Sequence, residues 1–208
     1  MGKMQRLSFA EAKAAISAFP PKMAAIAAFG VVCGCRIAEI LQLRVGDIFN
    51  EFGDFRDPVR FPKLKTKKGR FGKKKKFVAD WRELSVHEDW RGFIRRHYNR
   101  ELLRGHGGQD EFLFRGKYGK PMSYDSVYNF FRVQLGPCHG THWMRKTFAF
   151  EMYEYYKAKG YDDLNAARNV ETLLGHARLE TTLAYLGFQE ARIKSDLDEV
   201  FKWERAHV

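Results

Sequence analysis

Cysteine is scarce in this 208-residue sequence, which contains only Cys33, Cys35 and Cys138. Three cysteines cannot form the disulfide framework of a small secreted protein. Cys33 and Cys35 are two residues apart at a predicted helix end, where the geometry for a bridge between them is poor. His139 and His142 follow Cys138, but the spacing does not match a structural zinc site. We therefore expect reduced thiols, no metal and a cytoplasmic protein.

Long hydrophobic runs are also missing, since no stretch approaches the roughly 18 apolar residues of a membrane span. The N-terminus does not lead into the apolar core of a signal peptide. Lysine and arginine (37) outnumber aspartate and glutamate (25), which gives a formal net charge of +12. This excess favours a polyanionic partner, either nucleic acid or an anionic membrane surface. Without an apolar anchor, we favour nucleic acid and expect no membrane partner.

Acidic residues are absent between Arg60 and Lys76, a segment that holds ten basic residues. One interpretation is a solvated loop whose charges point into water. The alternative is contact with a DNA backbone, which relieves the repulsion between these charges and releases counterions from the phosphates. We favour the second interpretation. The predicted DNA-backbone-binding residues are Lys63, Lys67, Lys68, Arg70, Lys73, Lys74, Lys75 and Lys76.

The charge balance reverses after Tyr185, because residues 186–208 carry four basic and five acidic side chains. Four apolar residues in this segment follow helical spacing: Ile193, Leu197, Val200 and Phe201. The pattern predicts a C-terminal helix, within residues 189–208, that docks on protein. It can pack on its own domain or on a neighbouring protomer.

The N-terminal half begins with clear helix signals. Ser8 followed by Glu11 is typical of a capping box at a helix start. Pro20 and Pro21 end that helix and begin the next, which ends at Gly34. The sequence therefore predicts two consecutive helices before residue 35, and a third begins near residue 36.

From about residue 45 to 79, glycine and proline separate short runs that contain Phe and Val, which predicts a small antiparallel sheet. Helical patterns return afterwards. They are predicted at about 88–103, from Ser123, and at 143–158, 163–174, 180–186 and 189–204. The sequence thus predicts a mainly α fold with a small antiparallel β-sheet. We interpret residues 1–208 as one domain with a short lead-in at residues 1–7.

Polar residues next to apolar sequence are the candidates for chemistry. Arg36 stands at the start of an apolar helix, where an arginine is more often an ion-pair partner than a catalytic residue. Lys65 lies in the basic hairpin, where one lysine among many is not distinctive. His142 and Arg145 are three residues apart, so a helix places them on the same face. A buried helix face with both side chains needs an anion or an acidic residue as their hydrogen-bond partner. The alternative is that the histidine only caps the helix.

The last candidates are His176 and Tyr185. Gly175 ends a predicted helix, His176 begins the following turn, and Tyr185 lies nine residues further on a short helix. A tyrosine in such a place is usually a packing residue. In order and spacing, however, the four segments together resemble the catalytic boxes of the tyrosine recombinases, the phage integrase family.

The resemblance covers the chain from about Leu7 to its end and includes a middle patch that runs from Leu113-Phe114 to Ser123. It is carried by Gly34-Cys35-Arg36-Ile37-Ala38-Glu39-Ile40, by the His142-x-x-Arg145 box and by Leu174-Gly175-His176 with Thr181-Thr182-x-x-Tyr185. The implied catalytic residues are Arg36, Lys65, His142, Arg145, His176 and Tyr185.

The family's chemistry implies that Tyr185 attacks a DNA phosphodiester to form a 3′-phosphotyrosyl bond. The two arginines stabilise the phosphate charge, and His142 accepts or relays the tyrosine proton. His176 adds a hydrogen bond to the phosphate, and Lys65 protonates the leaving oxygen. The resemblance implies double-stranded DNA as partner, no cofactor, and a bacterial, archaeal or phage-encoded protein. It also implies a free monomer that forms dimers to tetramers on DNA through the C-terminal helix.

Two features depart from the family pattern. Trp143 stands where the family commonly has a small or acidic residue, and we expect it to alter packing only. We expect the family's N-terminal core-binding domain to be absent, because only about six residues precede the first predicted helix; the protein is then either a natural single-domain recombinase or a trimmed chain. Two alternatives stay open: strand cleavage like that of a type IB topoisomerase, and a non-catalytic DNA-binding regulator with the same fold.

Overall fold

The computed structural model of the chain describes the backbone of residues 7–65, 76–176 and 178–187. Side chains are described over the same ranges except at residues 63–65 and 76–80. The chain divides into two compact units, Met1–Phe148 and Ala149–Val208. The predicted docking helix within residues 189–208 lies outside the described residues.

The first unit begins with helices whose ends follow local sequence signals. The Ser8 amide donates to the Glu11 carboxylate over 2.8 Å and the Ser8 hydroxyl accepts from the Glu11 amide, so the capping box is confirmed. Pro21 is the first residue of the second helix, where its missing N–H costs no hydrogen bond. The helices are α1 (Phe9–Ser17), α2 (Pro21–Cys33) and the single turns α3 (Ile37–Ile40) and α4 (Val45–Ile48).

The sheet consists of two antiparallel strands, β1 (Val59–Lys65) and β2 (Lys76–Leu84). Its register shifts between Pro62 and Leu64, where the proline has no N–H to donate to the ladder. The predicted start of the sheet near residue 45 was wrong, because Val45–Ile48 forms α4. The Asp47 carboxylate accepts a hydrogen bond from the Arg44 amide over 2.7 Å and so stabilises that helical turn.

Three more helices follow β2: α5 (Glu88–Leu102), α6 (Tyr124–Leu135) and α7 (His142–Ala158). The α5 and α6 predictions are confirmed, and Ser123 caps α6 through the Ser126 amide. Between them, the segment 112–114 makes an isolated bridge at Phe112 and two hydrogen bonds at Leu113. The Leu113 amide donates to the Leu43 carbonyl over 2.9 Å, and the buried His97 ring contacts the Leu113 carbonyl at 2.8 Å.

The core of the first unit surrounds α2, which is buried over most of its length. A helix that is apolar on every side is suited to this central place. Small residues let its neighbours approach: a Cβ built on Gly30 meets the Met144 sulfur at 2.6 Å. The ring of Phe29 meets that of Phe61 at 5.5 Å. Trp143 is fully buried, with its ring 5.7 Å from that of Phe131, so it is a core residue.

The second unit contains the rest of α7, α8 (Asp163–Leu174) and α9 (Leu179–Leu186). The Tyr153 hydroxyl donates to the Asp163 carboxylate over 2.6 Å, and Lys157 lies 2.6 Å from the same carboxylate. These contacts hold the end of α7 to the start of α8. Together the two units confirm a mainly α fold with a small antiparallel sheet. In the described part of the chain, no helix is long and apolar enough to cross a membrane.

Candidate active site

The site in the first unit is built on the turn that follows α2. Gly34 ends the helix with φ +58°, a left-handed conformation that glycine adopts without strain. A Cβ at this position would lie 2.5 Å from the ring of Phe148, so there is also no room for a side chain. The turn therefore requires glycine for two independent reasons, and it places Arg36 at the N-cap of α3, directly before the first residue of that helix.

Arg36 is held by a buried carboxylate one helical turn away. Glu39, only 1% exposed, accepts the Arg36 amide at 2.9 Å and the Arg36 guanidinium at 3.1 Å. The Arg82 guanidinium of β2 donates to the same carboxylate over 2.9 Å. A buried carboxylate that accepts hydrogen bonds from two guanidinium groups fixes their position. Glu39 thus fixes the start of α3 and part of the Arg36 side chain, which is still 43% exposed.

Arg145 approaches the same turn from α7. It is 2% exposed, and its guanidinium donates a hydrogen bond to the Gly34 carbonyl. A buried arginine needs anions or carbonyl oxygens as partners, and this carbonyl is one of them. One short turn, Gly34–Arg36, therefore positions both arginines that the sequence singled out.

His142 is the first residue of α7 and is exposed to solvent. The surrounding protein removes water from part of the ring, and the positive charges of Arg145, Lys146 and Arg36 act in the same direction. Together they hold the pKa of His142 below its usual value. An imidazole with a lowered pKa is neutral at physiological pH and can accept a proton. His142 and the two arginines thus come together in the first unit.

The second unit holds the other pair of candidates. Gly175 ends α8 with φ +61°, and the chain turns at His176 towards α9. His176 Nδ1 lies 2.8 Å from the hydroxyl of Thr182, which is fully buried and therefore fixes the imidazole. The rings of His176 and Tyr185 lie 5.2 Å apart at an angle of 58°. The nine-residue spacing thus places the histidine next to the tyrosine.

The predicted lysines lie on or between the two strands. Lys65 ends β1 and is paired in the ladder with Lys76, the first residue of β2, while Lys63 lies earlier in β1. Their side chains are outside the described residues, as is the whole of the remaining set, Lys67, Lys68, Arg70, Lys73, Lys74 and Lys75. The lysine assignments therefore stay predictions.

Cys33 and Cys35 flank Gly34 in the turn that carries Arg36. Cys33, Cys35 and Cys138 are free thiols. A hydrogen bond with the Cys35 thiol, together with burial, raises the pKa of Cys33 well above its usual value. Among the residues that the structure describes, no group of three or more His, Cys, Asp or Glu side chains could hold a metal ion.

Sequence reasoning missed three residues that position the candidates. Glu39 had a signal, because a carboxylate three residues after Arg36 fits a helix N-terminus. Thr182 is part of the Thr181-Thr182-x-x-Tyr185 motif, but the sequence did not indicate that it binds His176. Arg82 carried no signal at all: it lies 43 residues from Glu39 in sequence, and only the folding of β2 beside α3 brings the two together.

The sequence was compared with protein-family models and with known proteins. The sequence model of the phage integrase family matches residues 5–192. The chain is 26% identical over 167 residues to the probable integrase/recombinase YoeC of Bacillus subtilis (strain 168), which covers 78% of this chain and 75% of that protein.

Solved structures share the fold. XerA recombinase aligns with a TM-score of 0.63 and 20% identity over 99% of this chain and 66% of the XerA chain. XerH site-specific recombinase, crystallised with its palindromic difH substrate after cleavage, aligns with a TM-score of 0.60 and 18% identity. That match covers 94% of this chain and 53% of the XerH chain, so the chain spans about half the length of this relative.

Proposed function

The chain belongs to the phage integrase family, and we propose that it is a site-specific DNA recombinase that cleaves and rejoins DNA strands through Tyr185. The observation that carries the proposal is the turn Gly34–Arg36, which positions two arginines beside a histidine of lowered pKa. Two arginine side chains and a neutral base are what phosphoryl transfer to a tyrosine requires.

The arginines act on the phosphate. Arg36 and Arg145 bind the non-bridging oxygens of the scissile phosphodiester and stabilise the additional negative charge of its pentavalent transition state. Anchoring by Glu39 and by the Gly34 carbonyl holds them before DNA arrives, so little reorganisation is needed during the reaction. His176, fixed through Thr182, adds a hydrogen bond to the same phosphate.

Tyr185 is the nucleophile. A tyrosine hydroxyl is a weak acid, with a reference pKa of about 10 in model peptides, so the reaction needs a proton acceptor, and neutral His142 takes that role. The tyrosine oxygen forms a bond to phosphorus, the bond from phosphorus to the 5′ oxygen breaks, and Lys65 protonates the leaving oxygen. The product is a 3′-phosphotyrosyl bond and a free 5′-hydroxyl. The reverse reaction with a different 5′-hydroxyl joins the new strand.

The test uses a pool of short duplexes of varied sequence, each nicked so that the strand released by cleavage diffuses away. The wild-type protein should accumulate a covalent adduct that survives denaturing electrophoresis, and sequencing the trapped strand gives the site and the polarity. Tyr185→Phe should form none. Tyr156→Phe, which removes another tyrosine hydroxyl from the same unit, should behave like the wild type.

Replacing Arg36 by alanine should slow adduct formation roughly 10²–10³-fold, as the loss of one charge-stabilising donor does in other enzymes. An adduct with Tyr185→Phe would contradict the proposed nucleophile. Adducts at unrelated sequences, with relaxation of any supercoiled plasmid, would indicate topoisomerase activity in place of recombination.

A further inference from the structure

The segment between Arg115 and Met122, here called the Tyr118 turn, is a preformed projection of the first unit. Arg115 and Pro121 face each other in an isolated antiparallel bridge. The Gly116 amide donates to the Lys120 carbonyl over 2.7 Å, and the Met122 amide donates to the Phe114 carbonyl over 2.8 Å. The turn is therefore closed by backbone hydrogen bonds at its base.

The base of the turn is also fixed to the rest of the unit. The Lys22 ammonium group donates to the Arg115 carbonyl over 2.7 Å, and the Arg115 guanidinium pairs with Glu111. A Cβ on Gly116 would lie 3.0 Å from the backbone of Pro121 and Met122. Close packing and these polar contacts define the position of the tip.

The tip carries a side chain that the fold does not use. Tyr118 has φ +58° and ψ +32°, the one positive φ outside glycine among the described residues. A left-handed conformation is unfavourable for tyrosine, and strain of this kind is characteristic of ligand-binding positions. The side chain is nevertheless 82% exposed, so packing within the unit does not explain it.

The charged residues near Tyr118 in sequence are all basic. Residues 112–124 contain Arg115, Lys117 and Lys120 and no acidic residue. The Lys117 ammonium group lies 4.8 Å from the centre of the Tyr118 ring, and both lysines are exposed. An exposed aromatic ring between basic side chains matches a nucleic acid, which offers phosphates beside apolar sugar and base surfaces.

A second exposed aromatic in the same unit shows the opposite environment. Phe52 is 89% exposed at the tip of another turn, but Glu51 and Asp54 flank it and no basic residue lies between Asn50 and Asp54. The Asn50 side chain accepts the amides of Phe52 and Asp54, so this turn is locally stabilised. The Arg95 guanidinium donates to the Gly53 carbonyl of this turn, but the charged residues next to Phe52 in sequence are acidic. Phe52 therefore serves as a control for an exposed ring on a turn that carries no basic residue of its own.

We propose that the Tyr118 turn is a DNA-contacting element, in which Lys117 and Lys120 bind phosphates and the Tyr118 ring packs in the groove against sugar and base surfaces. The inference rests on the proposed function, because it takes duplex DNA as the partner. It adds a contact point formed by residues outside the predicted catalytic set and outside the basic segment 60–76.

The test measures the affinity of the full chain for a labelled mixed-sequence DNA duplex at several salt concentrations. Tyr118→Asn removes the ring and leaves a residue that tolerates the left-handed conformation. It should weaken binding roughly five- to tenfold, at the low end for aromatic contacts with bases, with an unchanged salt dependence and an unchanged or higher Tm. Tyr118→Phe keeps the ring and should bind like the wild type.

Lys120→Gln should instead lower the slope of log affinity against log salt by about 0.9, the contribution of one phosphate contact. Phe52→Ala should change neither quantity. Equal affinities of wild type and Tyr118→Asn, an equal loss in Phe52→Ala, or an effect of Tyr118→Asn confined to self-association would overturn the inference.

The two proposals fail in different ways. A wild-type protein that binds no duplex and forms no covalent adduct refutes both. A wild-type protein that forms the adduct while Tyr118→Asn retains full affinity refutes the role of the turn and leaves the proposed function intact.

Discussion

Replacement of Gly34 by alanine tests whether one turn supports both the fold and the arginine pair. Gly34 has φ +58°, and a Cβ there would lie 2.5 Å from a ring carbon of Phe148. The same residue accepts a hydrogen bond from Arg145 through its carbonyl and precedes Arg36 by two positions. Any shift that relieves the clash therefore moves the groups that hold both arginines.

The expected loss in the free energy of unfolding of Gly34→Ala has two parts. An alanine in the left-handed conformation costs about 1 kcal/mol relative to glycine. Forcing a methyl group into a filled site costs roughly 1–3 kcal/mol more. The free energy of unfolding should therefore fall by about 2–4 kcal/mol in Gly34→Ala. Gly105→Ala isolates the first part, because Gly105 has φ +78° and a Cβ there meets nothing within 4 Å.

Urea denaturation followed by circular dichroism measures both variants, and adduct formation on nicked DNA measures the arginine site. Gly105→Ala should lose about 1 kcal/mol of stability and retain activity. In Gly34→Ala, the additional change Phe148→Leu should restore part of the loss, with a coupling energy of roughly 1 kcal/mol. Equal destabilisation by the two glycine variants, or no coupling with Phe148, would refute the steric argument.

Two further predictions concern the charges of the site. Glu39→Gln keeps an acceptor for the Arg36 amide but removes the buried carboxylate that also binds Arg82. It should lower the free energy of unfolding by roughly 1.5–3 kcal/mol and slow adduct formation. An unchanged urea midpoint would contradict this prediction. Lys146→Gln removes one of the positive charges that depress the pKa of His142, so that pKa should rise. Because the neutral ring is the base, the acid limb of the pH–rate profile for adduct formation should move to higher pH; a profile that does not move would count against His142 as the base.

Helix boundaries were predictable because their causes are local. Ser8 and Glu11 satisfy each other's groups across three residues, Pro21 begins a helix by its own ring geometry, and Gly34 ends one by its own φ. The start of the sheet was not predictable in the same way. The glycine and phenylalanine content around residue 45 suits a strand, but Asp47 caps a helical turn there.

The candidate site was predictable in part. The three-residue spacing predicted that His142 and Arg145 lie on one helix, which they do. That Arg36 lies near them, and that the His176 ring lies beside the Tyr185 ring, are observations of the structure. Their catalytic roles, and those of the lysines, are predictions for the experiments above. The groups that hold these residues in place were not predictable. Arg82 and the Gly34 carbonyl are far in sequence from the residues they contact. Glu39 and Thr182 are common residue types whose contacts the sequence does not reveal.

The sequence by itself therefore determined which residue types stand at each motif, where most helices begin and end, and that positive charge is concentrated in one segment. Only the tertiary structure decided that Glu39 joins Arg36 to Arg82, that Arg145 reaches the Gly34 carbonyl, and that Tyr118 projects from a basic turn. The physical reason is the range of each effect. Capping and backbone preference act over a few residues, whereas ion pairing and burial depend on which distant segments the chain brings together.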